Sequence, residues 1–147
     1  MKKYVIHGET PSKKNNRVYV AKLHKSFPNQ RYVKWHKTAC AELLSQKGEN
    51  IVFNECKIIM RFTHGDRVKR DSDNGVNSIF DTLTDCGIIP DDNWMVVRKH
   101  LVLNSFDKGN PHCEICIYNL DERVDLQRDF GSSELFDESL QNVADVF

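Results

Sequence analysis

The sequence predicts an α+β fold in which two main helices pack on one mixed β-sheet, in the chain order β-α-β-α-β-β. Three observations support this class. Apolar runs of strand length recur along the chain, two longer segments carry apolar residues at helical spacing, and polar turns separate these segments. The predicted strands cover residues 3–8, 56–64, 95–103 and 112–118, and the predicted helices cover residues 30–47 and 74–86.

Local residue patterns mark the bounds of the two helices and of the first loop. Gly48 ends the first helical pattern, as glycine commonly does just past a helix. The second helix has a buried face at i, i+3, i+4 and i+7, formed by Val76, Ile79, Phe80 and Leu83. Residues 9–17 are predicted to form a polar, basic loop, and residues 18–28 are predicted to form an extended hairpin arm.

Charge divides the chain into two parts although the whole is neutral. Residues 1–120 hold 19 Lys and Arg against 13 Asp and Glu, whereas residues 121–147 hold 2 against 8. A basic body of this kind suits a polyanionic partner. The tail, residues 121–147, is predicted to be an acidic C-terminal extension that forms a short helix or stays disordered. Its helically spaced apolar residues could dock on the body or on a protein partner: Phe136, Leu140, Val143 and Phe147.

Nothing in the sequence suggests a membrane. The longest apolar runs are only a few residues, and the N-terminus does not resemble a signal peptide, so we expect a cytoplasmic protein without membrane contact. Five cysteines without a secretory signal indicate reduced thiols. Cys113 and Cys116 form a C-x-x-C, but strand alternation would turn them to opposite faces, which favours structural thiols over a metal site.

Asp71 and Asp73, in the stretch DSDN at the start of the second helix, need an explanation. Asp73 would serve as the N-cap of a helix that begins at Asn74, but capping does not explain Asp71. A calcium loop that starts at Asp71 places Gly75 at position 5 and Thr82 at position 12, so its register fails.

A catalytic metal accounts for both aspartates. If residues 71–73 are extended, the two carboxylates share one face, about 6.6 Å apart along the chain. Such a pair can bind one or two Mg²⁺ ions and leave room for a substrate phosphate. Asp91 and Asp92 supply a third carboxylate, and only one of the two is expected to be a ligand. Basic residues around these acids would bind a nucleic-acid backbone: Lys13, Lys14, Arg17, Arg67, Lys69 and Arg70.

These motifs resemble the RusA family of Holliday junction resolvases, which is common in prophages and bacteria. The matching features are DSDN at 71–74, DTL at 81–83, Gly87 and DD at 91–92, together with an opening loop GETPSKKNNR. The resemblance runs over about residues 3–118, so residues 1–120 would form a RusA-like nuclease domain with a RusA-like fold.

The resemblance implies a function and a site. RusA-like enzymes are homodimers that bind four-way DNA junctions and nick two strands symmetrically with Mg²⁺ or Mn²⁺, in DNA recombination and repair. It assigns catalysis and metal binding to Asp71, Asp73 and Asp92, with Asp91 as a weaker candidate for the metal. Asn74, Asn77 and Asp81 would support these acids from the helix.

One departure from the family pattern bears on activity. The family has a Lys four residues after the second Asp of the motif, where this chain has Asn77. Asparagine cannot supply a positive charge to a developing oxyanion. Lys69, Arg70 or Lys14 could replace it; otherwise the protein binds junctions but cuts them slowly or not at all. A third alternative is a non-nuclease protein that works through its acidic tail. Of the scattered histidines, His64 alone lies near the acids in sequence.

Overall fold

The computed structural model describes residues 1–13, 17–49, 51–131 and 138–147, with no side-chain description for Arg17, Pro28 and Glu138. The predicted Lys14 and Phe136 lie outside these residues. In chain order the elements are β1 (Lys2–His7), β2 (Arg17–Val20), β3 (Lys25–Pro28), α1 (Gln30–Lys47), β4 (Cys56–His64), α2 (Ser72–Asp85), β5 (Val97–Phe106), β6 (His112–Tyr118), α3 (Leu126–Phe130) and α4 (Glu138–Val146).

A mixed four-stranded sheet forms the centre of the molecule, as predicted. The strand order is β1-β6-β4-β5, with β4 and β5 parallel and the other neighbours antiparallel. Since β4 and β5 run in the same direction, their C-terminal ends meet at one edge of the sheet. The helix that connects them, α2, begins at this edge.

The predicted hairpin arm is confirmed as a separate two-stranded sheet. Strands β2 and β3 pair antiparallel, with Val18 opposite Phe27, and a short 3-10 turn joins them. Tyr19 is 63% exposed at the arm. The arm therefore adds an exposed, partly apolar projection to the basic N-terminal part of the chain.

Helix α1 matches its predicted bounds because both ends carry strong local signals. The side chain of Asn29 accepts a hydrogen bond from the backbone N–H of Arg31, which caps the first turn. Gly48 follows the last turn at φ 69°, a conformation that glycine adopts without a Cβ penalty. The helix buries Tyr32, Ala39 and Leu43, and Ala39 and Leu43 belong to the apolar cluster on this face of the sheet.

Helix α2 buries the predicted face but starts earlier than predicted. Val76, Ile79, Phe80 and Leu83 are all buried, as their spacing indicated. The helix begins at Ser72 and its N-cap position is Asp71, so the prediction that Asp73 caps it is wrong. The expectation of an extended 71–73 segment is also wrong, because Ser72 and Asp73 are already helical. The helix therefore begins two residues earlier than the spacing of its apolar residues indicates.

Gly75 in the first turn of α2 has a packing reason. A Cβ at this position would lie 3.1 Å from Cε1 and 3.3 Å from Cζ of Phe62, which is tighter than most Cβ contacts. Phe62 is buried on β4, beneath the helix. The absent side chain lets α2 approach the sheet closely at the edge where β4 ends.

We therefore expect Gly75→Ala to stabilise the protein by less than the approximately 1 kcal/mol that helix propensity alone would provide, or to destabilise it. Denaturant unfolding of the variant would measure the change. The same substitution in a Phe62→Leu background should gain stability relative to Phe62→Leu alone, because the ring edge is removed. A full propensity gain in the wild-type background would contradict this explanation.

The two faces of the sheet carry separate apolar clusters. Ile58, Met60 and Phe62 of β4 face α1 and α2, whereas Ile59 faces the C-terminal segment. Cys113 belongs to the first cluster and Cys116 to the second, which confirms that strand alternation separates them. Burial raises the pKa of Cys116 to about 12, so this thiol stays protonated at neutral pH.

The described part of the tail lies on the sheet face opposite α1 and α2. Leu126 and Phe130 of α3 and Ala144 of α4 are buried there, and Leu140 and Phe147 pack against them. Val143 is 50% exposed. The described residues therefore form three layers, with the sheet between two sets of helices.

Polar contacts also hold the tail to the sheet. Arg61 Nη2 donates to the Phe130 carbonyl at 2.8 Å, and Lys3 Nζ donates to the Asp129 carbonyl at 2.7 Å. Both carbonyls lie at the C-terminal end of α3, where cations are favourable. Burial raises the pKa of the Asp129 carboxyl, but hydrogen bonds from Arg128 and Tyr118 outweigh burial and hold that pKa below its ordinary value.

Candidate functional site

A cavity of about 280 Å³ lies at the sheet edge where β4 and β5 end and α2 begins. The loop after β1 closes one side through Thr10, Pro11 and Ser12. The hydroxyl of Ser78 in α2 donates to the Pro11 carbonyl at 2.7 Å, which ties this loop to the helix. The cavity thus brings together segments that are far apart in sequence.

Basic groups dominate the wall of this cavity. Among the described residues, Arg31, His64, Lys69 and Arg70 all line it. Thr10 also lines it, and its buried hydroxyl has no hydrogen-bond partner among those residues. Cationic side chains give strong, charge-assisted hydrogen bonds to phosphate oxygens. The wall is therefore suited to an anion.

Arg70 is held rigidly. Its Nη1 and Nη2 lie 2.7 and 3.0 Å from the two Asp66 carboxylate oxygens, and its Nε lies 3.5 Å from Glu9 Oε1. The hydrogen bonds from Arg70 lower the pKa of Asp66 to about 2. Lys69 differs, because it is exposed and forms no ion pair with the described residues. Among the described cations of the cavity, Lys69 and Arg31 are both exposed and outside any ion pair, so either can reach a ligand.

Asp71 places a carboxylate at the rim of the same cavity. It occupies the N-cap position of α2, but its side chain caps no backbone N–H. Its nearest described polar contact is the side-chain amide of Asn74, at 3.5 Å. Capping therefore leaves this carboxylate available for another ligand.

Asp73 lies elsewhere on α2. It is exposed in the first turn and is not among the described residues that line the cavity. Asn77, one turn later, donates from its side-chain amide to the Asp73 carbonyl at 2.9 Å. The sequence interval between Asp73 and Asp81 is eight residues, or about 12 Å along the axis of a helix. Asp73, Asn77 and Asp81 thus follow one another along one side of α2, with Asp73 exposed and the other two half-buried.

Asp91 and Asp92 lie in the turn before β5 and have different surroundings. Asp91 accepts hydrogen bonds from the Asn93 amide at 2.7 Å and from the Asp92 N–H at 2.8 Å, which lower its pKa. Burial raises the pKa of Asp92, and the neighbouring carboxylates of Asp91 and Asp81 raise it further. Asp92 is therefore the acid of this turn that has uncompensated negative charge around it.

The predicted acids do not form a preassembled ligand set. Within the described ranges, no group of three His, Cys, Asp or Glu side chains is arranged to hold a metal ion. Asp71 lies at the cavity, whereas Asp92 is coupled to Asp91 and Asp81. The donor chemistry nevertheless fits Mg²⁺, which takes carboxylate oxygens, keeps several waters and needs only one or two protein carboxylates.

The other predicted basic residues are spread over a wider surface. Lys13 Nζ lies 2.9 Å from Asp81 Oδ2 and 5.9 Å from the Tyr32 ring centroid. Arg67 stacks on Phe106 at 4.5 Å. The backbone of Arg17 begins β2, and its side chain is not described. Of the predicted nucleic-acid contacts, the cavity includes only Lys69 and Arg70 among those described.

Sequence reasoning assigns no role to Asn104 and Arg31, which line the cavity, or to Glu9, which contacts His64. For His64 it offers only the proximity to the acids in sequence. The parallel register of β4 and β5 places Asn104 opposite Phe62, two residues before His64. Only sheet pairing could reveal this neighbourhood, because Asn104 is 40 residues from His64 in sequence.

Comparison with known protein families finds none that matches the chain, and comparison with characterised proteins finds no significant match. In the described part of the chain, no helix is long and apolar enough to cross a membrane.

Proposed function

We propose that this protein is a metal-dependent endonuclease that acts on four-way DNA junctions. The observation that carries the proposal is the cavity at the start of α2, where the free carboxylate of Asp71 adjoins Lys69, Arg70, Arg31 and His64. A carboxylate that is not neutralised, set inside a basic wall, suits a metal ion together with a phosphodiester. The resemblance of DSDN and DD to the RusA motifs supplies the substrate class.

In the proposed reaction, Asp71, Asp73 and Asp92 would hold Mg²⁺ or Mn²⁺ once bound DNA brings these acids together. The metal would supply an activated water and polarise the scissile phosphate. Lys69 and Arg31 contact backbone phosphates, and Arg70 stays fixed by Asp66 and Glu9. A two-fold homodimer would present two such sites to the two-fold symmetry of a junction.

The direct test mixes the purified protein with a synthetic four-way junction and Mg²⁺, with a linear duplex of the same sequence as the control substrate. Paired symmetric nicks in the junction alone, absent for Asp73→Asn, would support the proposal. Equal cutting of the duplex and the junction would show that the protein does not select the junction structure. Absence of both nicking and junction binding would overturn the proposal.

Asn77 motivates a second candidate, a junction-binding protein with weak or no cleavage. Asn77 provides no positive charge, and its amide is engaged with its own helix. If the missing cation limits the rate, Asn77→Lys should accelerate nicking without tightening junction binding to the same extent. An unchanged rate in Asn77→Lys, with nicking by the wild type, would show that another cation already performs this role.

We expect Lys69→Gln to weaken junction binding and to reduce the slope of log affinity against log salt by about 1, because one phosphate contact is lost. Fluorescence anisotropy at several salt concentrations measures both quantities. Arg123→Gln is the control, because Arg123 is an exposed cation in the tail, on the opposite side of the sheet. Equal salt slopes for Lys69→Gln and the wild type would exclude Lys69 as a phosphate contact.

A further inference from the structure

His64 is held between two hydrogen-bond acceptors at the cavity wall. Its Nδ1 lies 2.5 Å from Glu9 Oε1, and its Nε2 lies 3.1 Å from Asn104 Oδ1. The Asn104 amide nitrogen lies 3.4 Å from Ser72 Oγ, which accounts for the orientation of Asn104 Oδ1 toward the histidine. Both ring nitrogens therefore face side-chain oxygen acceptors, an arrangement that two ring N–H donors would satisfy.

The charged groups around His64 come from two loops. Glu9 follows β1 and is 14% exposed at its side chain; it also accepts a hydrogen bond from the Gly65 N–H. Arg70 and Asp66 precede α2, and Lys69 lies at the cavity beside them. From β6, His112 is directed to the Asn110 carbonyl at 2.8 Å. Glu9 is thus the carboxylate in direct contact with the His64 ring.

His64 shares its cavity with Asp71. Both residues line the same cavity, His64 from the end of β4 and Asp71 from the start of α2. The His64 side chain is 26% exposed, so a phosphate in the cavity could reach its ring. Of the two ring nitrogens, Nε2 is the one that could donate a proton to a ligand, because its partner is a neutral amide whereas the partner of Nδ1 is a carboxylate.

We propose that His64 is the general acid of the cleavage reaction and that Glu9 is its positioning residue. The inference rests on the proposed nuclease function. Water attacks phosphorus, the bond from phosphorus to the leaving oxygen breaks, and its electron pair stays on that oxygen. The Nε2 proton moves to the leaving oxygen and leaves neutral imidazole. The attacking water releases its proton to solvent, and solvent reprotonates His64.

Protonation matters because an alkoxide is a poor leaving group near neutral pH. A positioned acid typically contributes about 10²–10⁴-fold to such a step. A leaving sulfur needs no acid, because a thiolate is far less basic than an alkoxide. Substitution of the bridging leaving oxygen by sulfur therefore separates proton donation from every other role of His64.

The test compares an ordinary junction with one that carries a bridging phosphorothiolate at the scissile bond, on the leaving side that the wild-type product ends identify. We expect His64→Gln to cut the ordinary junction at least about 100-fold more slowly than the wild type. The same variant should cut the phosphorothiolate junction nearly as fast as the wild type. Because each variant is compared with itself on two substrates, partial misfolding affects both rates equally.

Two further variants sharpen the result. His7→Gln breaks another close His–Glu pair, with Glu42 at 2.7 Å, on a side chain that is 73% exposed, and should leave both rates unchanged. Glu9→Gln should slow the cutting of the ordinary junction more than that of the phosphorothiolate junction, because the His64 ring loses the carboxylate that positions it. Equal loss on both substrates in His64→Gln would overturn the acid role alone. Failure of the wild type to cut either junction would overturn the nuclease function and the acid together.

Discussion

Asp71→Asn is expected to abolish Mg²⁺-dependent nicking of a four-way junction while junction binding stays the same or tightens. The loss should exceed about 100-fold, since changes one shell further from a metal already cost 10–100-fold. Binding should not weaken, because a negative charge is removed from a surface that meets phosphates. We expect this effect at Asp71 because its carboxylate caps no backbone group and lies at the cavity.

The measurement is a single-turnover nicking assay with a binding titration on the same preparation. Asp85→Asn is the matched control, because Asp85 is an exposed acid at the far end of the same helix, paired with His36. Asp92→Asn should also lose more activity than Asp91→Asn, whose native carboxylate is committed to Asn93. Full nicking by Asp71→Asn would remove Asp71 from the proposed chemistry.

Phe130→Ala is expected to lower the free energy of unfolding by about 3 kcal/mol or more, in the range for a buried Phe truncated to Ala. Phe130 is 4% exposed in the cluster between the tail and the sheet. The Arg61 guanidinium lies 5.4 Å from its ring centroid, and Lys3 Nζ lies at the same distance. The substitution would therefore leave a cavity beside two cations that now cover the ring.

Denaturant unfolding followed by tryptophan fluorescence and circular dichroism would measure this loss. Val146→Ala is the control, since Val146 is 81% exposed on α4 and should change stability by less than about 0.5 kcal/mol. A tail that contributes nothing to folding would give equal stabilities for the two variants. The junction affinity of Phe130→Ala should match the wild type at temperatures where it stays folded, because the cavity is on the other side of the sheet.

Much of the fold could be predicted from local patterns. The bounds of α1, β4 and β6 agree with the predicted ranges 30–47, 56–64 and 112–118, because apolar periodicity and turn residues mark them clearly. The start of α2 was misplaced because Ser72 and Asp73 are polar residues in its first turn and carry no apolar signal. That shift of two residues separates Asp71 from Asp73, since a helical turn directs their side chains apart.

The sequence by itself determined the α+β class, the buried face of α2, and a group of acids and cations around DSDN. Those properties depend on residues within one turn or one strand of each other, so the order of residues along the chain is enough to predict them. Only the tertiary structure decided that Asp71, Lys69, Arg70, His64 and Glu9 share one end of the sheet. That decision rests on the pairing of β4 with β5 and on the loop after β1, contacts between residues that are 40 or more positions apart. Likewise, only the packing shows which face of the sheet the tail covers, because an amphipathic helix pattern does not specify the apolar surface against which it packs.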